Sequence, residues 1–132
     1  MPITFRIDKE SGVVYTTIDG YVSTDEIIEG LRNIMNHPDF RPGLNGIADL
    51  RNSDLNTFSA DVKRIAELLV EYRDKTGPSR TAVLVSNDVT FGMTRVFQVF
   101  AEQSSVETAI FRDMEEAVQW LGVGNASADK KT

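Results

Sequence analysis

The sequence offers few side chains that could do chemistry, and His37 is the first to consider because it is the only histidine. It could serve as a general base or a metal ligand. It stands directly before Pro38 at the end of an apolar helical pattern, where a protonated histidine would stabilise the C-terminal end of the helix. No second ligand stands at the HxH or HxxE spacing of a metal site. We therefore predict a helix cap at His37 and no metal site.

Asp49, Arg51 and Asp54 form a second cluster, placed just after an apolar segment. Paired carboxylates could carry out acid–base catalysis. The alternative is a loop held by ion pairs and by side-chain hydrogen bonds to its own backbone. We favour the loop, and since the chain has no cysteine, a thiol nucleophile is excluded as well. The sequence therefore predicts no catalytic residue and a protein that is not an enzyme.

A third polar segment, residues 86–92, precedes the third predicted helix. Free N–H groups at the start of a helix favour anions, and Gly92 would let a ligand approach the backbone. Thr90 has an alternative role as the N-cap of this helix. A lone glycine does not make a phosphate-binding loop, so we favour the cap.

These residues must be positioned by elements that the hydrophobic periodicity predicts. Alternating residues at 3–7 and 13–17 indicate a hairpin, and Ser23 with Glu26 forms a capping box before a helix that Pro38 ends. Residues 44–50 form a buried strand. A second helix begins near Thr57 or Ser59 and ends at Gly77. Strands at 81–85 and 106–111 enclose a third helix, and a fourth helix follows Asp113.

The predicted order of elements is ββαβαβαβα. Strands that alternate with helices imply right-handed crossovers and a mostly parallel sheet, with one antiparallel strand from the opening hairpin. We predict a single α/β domain at residues 1–122, a mixed five-stranded sheet flanked by four helices, and a disordered tail at residues 123–132.

In parallel sheets, ligands bind beyond the carboxyl ends of the strands. Residues 49–53, 86–88 and 112–113 all fall at that edge, so a partner or ligand is expected there. The predicted binding residues are Asp49, Arg51, Ser53, Asp54, Asn87, Thr90, Gly92, Arg95 and Arg112.

The third predicted helix is apolar on more than one face between Phe91 and Phe100. The surplus surface either meets a neighbouring helix or forms a patch that a partner covers. We predict a homodimer through this helix.

Composition narrows the class of protein further. The chain has 132 residues and a formal net charge of −6, which argues against nucleic-acid binding. No apolar run is long enough for a membrane span, and the first residues do not look like a signal peptide. We therefore expect a cytoplasmic protein.

Six short segments, in this order and spacing, resemble the SpoIIAA-like proteins, relatives of the STAS domains that include anti-sigma-factor antagonists. The resemblance runs from about Tyr15 to Leu121. It implies a fold and the regulation of protein partners, with no cofactor and no catalytic chemistry. The segments are residues 20–23 (GYVS), 37–41 (HPDFR), 48–51 (ADLR), 91–93 (FGM), 111–113 (FRD) and 116–121 (EAVQWL).

One departure from the STAS pattern concerns phosphorylation. STAS antagonists carry a phosphorylatable serine in an Asp-Ser-Ser-Gly-like motif at the start of the second helix, and residues 49–57 of this chain lack that motif. Ser53, Thr57 and Ser59 remain candidate phosphorylation sites. A phosphate there would be stabilised by the helix dipole, whereas Asp54 or Asp61 would oppose it.

Two functions follow as hypotheses. The first is a regulatory module whose protein partner docks on residues 53–59 and the neighbouring strand-end loops. The alternative is a carrier or sensor of a small anionic or lipid ligand. In that case Arg51, Arg95 and Arg112 would neutralise the head group, and Phe91 and Met93 would line an apolar slot.

Overall fold

Five strands form one sheet in the order β1-β2-β3-β4-β5. The computed structural model describes residues 3–54 and 59–122, without the side chains of Ser59 and Ala60. β1 runs antiparallel to β2, and the other neighbouring pairs are parallel. The strands are β1 (Ile3–Asp8), β2 (Val13–Ile18), β3 (Asn45–Asp49), β4 (Ser79–Leu84) and β5 (Val106–Phe111).

Helices connect the parallel strands and end the described chain. They are α1 (Thr24–Met35), α2 (Ser59–Glu71), α3 (Arg73–Thr76), α4 (Asp88–Phe100) and α5 (Met114–Leu121), with a short 3₁₀ turn at Ala101–Gln103. The predicted α/β class and the mostly parallel, mixed five-stranded sheet are confirmed. The predicted tail and Thr57 lie outside the described residues.

The helices differ from the prediction at one place. The predicted second helix is divided at Tyr72, so the described residues contain five α-helices rather than four. Tyr72 leaves helical geometry, with φ −96° and ψ 14°, and its ring packs against the apolar contact between α1 and α2. A short second segment, α3, then leads to Gly77, whose φ of 62° ends it in a backbone region that favours glycine.

The start of α1 follows the sequence prediction. Ser23 Oγ accepts a hydrogen bond from the Glu26 N–H at 3.1 Å, and the Glu26 carboxylate accepts one from the Ser23 N–H at 3.0 Å. This reciprocal pair satisfies two N–H groups that have no partner within the helix.

Apolar side chains on both faces of the sheet pack against helices, so the sheet lies between two helical layers. On one face α5 covers β3 and β4, where Ile47, Ala82 and Leu84 contact Ala117 and Leu121. The opposite face carries the three crossover helices α1, α2 and α4. Alternate residues of each strand therefore contact different layers, as the period of two in a strand requires.

Candidate functional site

The polar loops that follow β2, β3, β4 and β5 lie at one edge of the sheet, which we call the rim (residues 19–22, 50–54, 85–87 and 112–113). Direct contacts join them. Ser86 Oγ donates to the Arg51 carbonyl at 2.7 Å, and the Asp54 N–H donates to the Gly20 carbonyl at 2.7 Å. The rim thus brings together most of the residues that the sequence proposes as a binding site.

Asp49, the last residue of β3, forms a two-point ion pair with the rim residue Arg51. Arg51 Nε and Nη2 each donate to the Asp49 carboxylate at 2.9 Å, and the Arg51 N–H donates to it at 3.1 Å. These hydrogen bonds lower the pKa of the Asp49 carboxyl below its ordinary value. The Asp49 carboxylate also raises the pKa of Arg51, with a smaller contribution from Asp113. The pair therefore holds the loop and keeps both groups charged.

The next residues of this loop are fixed in the same way. Ser53 Oγ donates to the Leu50 carbonyl at 2.6 Å, and Ser53 forms an isolated bridge with Gly20. The Asp54 side chain is exposed. A kinase acting on Ser53 would first have to break the hydrogen bond to Leu50, so phosphorylation here stays a prediction.

The start of α4 corrects the predicted cap. Asn87, not Thr90, is the N-cap: Asn87 Oδ1 accepts from the Thr90 N–H at 2.8 Å. The helix begins at Asp88, so Gly92 lies inside it. Gly92 is exposed and has nothing within 4 Å of where a Cβ would be.

The other two arginines of the predicted site are Arg112, in the rim, and Arg95, which lies on α4 outside it. Arg112 Nη2 donates to Asp88 at 2.7 Å, and its guanidinium lies 5.2 Å from the centre of the Phe91 ring. Arg95 is exposed on α4. The ion pair gives Arg112 a protein counter-ion at the place where an anionic head group was expected.

His37 is not the C-cap residue of α1. It follows the C-cap residue Asn36, and its Nδ1 accepts a hydrogen bond from the Asp39 N–H at 3.0 Å. The ring therefore stabilises a turn beyond the helix, with its edge against Phe5.

A cavity of about 240 Å³ lies between the sheet and helices α1, α2 and α4. Its described lining contains no charged side chain, and most of the lining is aliphatic or aromatic. The lining includes Val14, Thr16, Gly46, Ala48, Thr81, Val83, Val106 and Thr108 from the strands, and Ile27, Leu31, Ile34, Val62, Ile65, Leu69, Met93 and Phe97 from the helices.

The burial of the sheet residues indicates that the helices do not pack tightly against this face. Thr16, Gly46, Ala48 and Thr81 belong to inner strands on a face that carries three helices, yet each is only half-buried. Close-packed protein interiors leave few voids larger than a water molecule. The exposed fraction of these residues is explained by the cavity in front of them.

A row of small and hydroxyl-bearing residues crosses the cavity floor. Gly46 in β3 is in register with Thr81 in β4, and Thr81 is in register with Thr108 in β5. Thr108 is 7% exposed, and its Oγ1 makes no hydrogen bond to any described residue. We call Gly46, Thr81 and Thr108 the threonine row.

Sequence reasoning placed the site at the rim and missed the cavity. A signal was present, because the strands predicted to be buried contain small or hydroxyl residues at alternate positions, including Gly46, Ala48 and Thr81. Such residues leave space beneath covering helices. Among the predicted slot residues, Met93 lines the cavity, and Phe91 lies under Arg112 instead.

Within residues 3–54 and 59–122, no three metal-binding side chains come together. None of the described helices combines the length and apolarity that crossing a bilayer requires.

Comparison with known proteins supports the fold. No protein-family model matches the sequence, and no curated protein matches it. Among solved structures, the chain is similar to an uncharacterised protein of the DUF3478 family with a SpoIIAA-like fold from Shewanella loihica PV-4. The two share 16% sequence identity with a TM-score of 0.59, over 90% of this chain and 91% of that one. An identity this low establishes the fold alone. The chain has a SpoIIAA-like fold.

Proposed function

We propose that this protein is a non-enzymatic carrier or sensor that binds a small apolar molecule in the cavity between the sheet and helices α1, α2 and α4. The observation that carries this proposal is the size and lining of the cavity, about 240 Å³ with no charged side chain among the described lining residues. An engineered apolar cavity of roughly 150 Å³ binds benzene. By proportion, this cavity would hold a molecule of about ten carbon atoms.

Two effects would stabilise an apolar ligand in the cavity. A ligand in the cavity would restore the dispersion contacts that the lining lacks and would remove apolar surface from water. The same lining opposes a charged molecule, because a buried charge needs a partner. The anionic head group expected at Arg51, Arg95 and Arg112 stays a prediction about the rim.

Naphthalene, with ten carbons and no polar group, is a suitable probe, and its fluorescence reports binding. We expect a dissociation constant on the order of 10 to 100 micromolar for the wild-type protein. Ala48→Leu adds three carbons to a residue that lines the cavity and should weaken binding at least about ten-fold. Ala109→Leu makes the same change on β5, in register with Ala82 of the α5 face, and should leave binding unchanged.

Thermal melting of all three proteins shows that each is folded. Failure of naphthalene to bind folded wild-type protein would overturn the proposal. Equal affinity of the wild-type protein and the Ala48→Leu variant would also overturn it, because binding would then lie outside the cavity.

A protein partner at the rim is a second candidate, favoured by one exposed apolar side chain in the rim and another beside it. Tyr21, in the loop after β2, is 65% exposed, and Val89, in the first turn of α4, is 69% exposed. Exposed apolar residues near polar loops are common in interaction surfaces. In this role the domain at residues 1–122 would act in the cytoplasm as a regulatory module.

The test of this second candidate is affinity capture with the side chains of the rim altered. Asp54→Lys is preferred to a change at Arg51, because Arg51 holds the loop through Asp49. Tyr21→Ser removes the larger exposed side chain, and Val99→Ser changes a residue at the far end of α4. Loss of one specific partner with the first two variants but not the third supports a rim interface, and unchanged recovery with every variant refutes it.

A further inference from the structure

We infer that the ligand of the cavity is an apolar molecule with one neutral hydrogen-bonding group, a hydroxyl or a carbonyl, that contacts the threonine row. This inference rests on the proposed function and names the class of ligand. It excludes carboxylates, phosphates and amines as the group inside the cavity.

The first argument is the hydroxyl of Thr108. The residue is 7% exposed and lines the cavity, and its Oγ1 has no hydrogen-bond partner among the described residues. Its backbone carbonyl already accepts from Gln98 Nε2 at 2.6 Å. Buried hydroxyl groups are nearly always hydrogen-bonded, because a buried hydroxyl without a partner keeps the full free-energy cost of its desolvation. This oxygen has almost no accessible surface in the ligand-free protein, so the proposal requires rotation about the Thr108 Cα–Cβ bond to turn it toward the cavity. A polar group on a bound molecule would then supply the partner.

The second argument is the neighbouring hydroxyl. Thr81 is in register with Thr108 and lines the same cavity. Thr81 Oγ1 lies 3.1 Å from the position that a Cβ would take at Gly46. A larger residue at position 46 would crowd this hydroxyl, so glycine there keeps the space above it open. Two adjacent hydroxyls can both donate and accept, which suits an alcohol or a ketone.

The third argument is the charge of the lining. The described cavity residues include no arginine, lysine, histidine, aspartate or glutamate. Of the rim arginines, Arg51 and Arg112 are paired with Asp49 and Asp88. An ionised head group inside the cavity would have no counter-ion, and its desolvation would not be offset.

Three naphthalene-based probes separate these chemistries at pH 7: naphthalene, neutral 2-naphthol, and anionic 2-naphthoate. We expect the wild-type protein to bind 2-naphthol about five-fold more tightly than naphthalene, and 2-naphthoate at least about ten-fold more weakly than 2-naphthol. Thr108→Val removes the hydroxyl and should abolish the preference for 2-naphthol without weakening naphthalene. Thr108→Ser should retain the preference, and Thr4→Val on the exposed side of β1 should change nothing.

The outcomes separate a failure of this inference from a failure of the proposed function. If naphthalene binds but 2-naphthol binds no better, or if Thr108→Val keeps the preference, the threonine row does not recognise the ligand and the cavity function stands. If 2-naphthoate binds as well as 2-naphthol, the neutral class is wrong. If naphthalene itself does not bind, the proposed function fails. Thermal melting confirms that each variant is folded.

Discussion

Two sets of hydroxyl groups can be distinguished among the described residues. Those of Ser53, Ser86 and Thr94 donate to backbone carbonyls and so stabilise local structure. Those of Ser11 and Thr108 are buried without such a bond. The distinction is invisible in the sequence, because both sets are made of the same residue types and differ only in what surrounds them.

Replacing Thr108 with valine should stabilise the ligand-free protein by about 1 kcal/mol, because valine has the same shape and leaves no unmet hydroxyl. Urea denaturation measures this free energy of unfolding. Thr94→Val is the matched control, since Thr94 is as deeply buried but donates to the Thr90 carbonyl at 2.7 Å. That variant should lose stability, and a gain in both would show that hydrophobicity alone explains the effect.

Asp49→Asn should lower the free energy of unfolding by about 1 kcal/mol at pH 7, a modest value because Arg51 is partly exposed. The folded-state pKa of Asp49 lies below its ordinary value, which is near 3.9 in an unfolded chain. The stabilisation is therefore complete above about pH 5 and declines as the pH falls through the folded-state pKa.

Urea denaturation at several pH values between 3 and 7 tests this. The difference between the wild-type protein and the Asn variant should shrink toward the acid end. A difference that is constant with pH would mean that the Asp49 carboxylate contributes nothing through its charge.

At this scale the sequence predicted that Asp49, Arg51 and Asp54 lie together and that ion pairs hold their loop. Asp49 and Arg51 are two positions apart just after a strand, so their contact follows from local geometry. The cap of α4 and the role of His37 were wrong. Asn87 and Thr90 are both good N-cap residues, and only the observed backbone at Asn87, extended at φ −138° and ψ 164°, decides between them.

Among the elements, α4 connects the two candidate surfaces. At its start, Asn87 is part of the rim and Asp88 pairs with the rim residue Arg112. Further along the helix, Met93 and Phe97 line the cavity. Its surplus of apolar residues is therefore divided: one part faces the cavity, and Val99 and Phe100 remain 61% and 36% exposed.

Gly92→Ala should stabilise the protein by about 0.5 to 1 kcal/mol, because glycine inside a helix loses more backbone entropy than alanine. The position is exposed and open space surrounds the added methyl group. Gly30→Ala is an informative comparison, since a Cβ there would lie 3.3 Å from the Ile3 side chain. A loss of stability at position 92 would show that its backbone is not ordinary helix.

Most elements could be predicted from the apolar pattern. Each predicted helix has an apolar face that imposes a period of 3.6, and the inner strands are short apolar runs. The division of the second helix at Tyr72 could not be predicted. No glycine or proline marks the break in the sequence, and the Tyr72 ring packs in a cluster with Ile28 and Met35 of α1, which are distant in sequence.

For the whole molecule, the arrangement of layers is what creates the cavity. Its volume depends on how far α1, α2 and α4 stand from the sheet, and that distance is set by contacts among the helices themselves, such as Ile28 and Met35 against Leu68. Composition and periodicity say which face of each element is apolar but nothing about this spacing. The fold was therefore predictable, and the cavity within it was not.

The predicted homodimer belongs to this scale and remains a prediction. We expect light scattering at high micromolar concentration to give the mass of a dimer, with Val99→Lys shifting it toward monomer. Val89→Lys is the control, since Val89 is as exposed but lies at the opposite end of α4. A monomeric mass for the wild-type protein would refute the dimer.

Finally, the hydrogen bond from Gln98 to Thr108 has a consequence for self-association. β5 is the last strand of the sheet, and the carbonyls of Ser105 and Phe111 turn inward to accept from Ser79 and Val85. By alternation the Thr108 carbonyl turns outward, where an incoming strand from another molecule would bind. Gln98 already donates to it. The Gln98 side chain of α4 therefore blocks the middle of the β5 edge against pairing with a strand from another molecule.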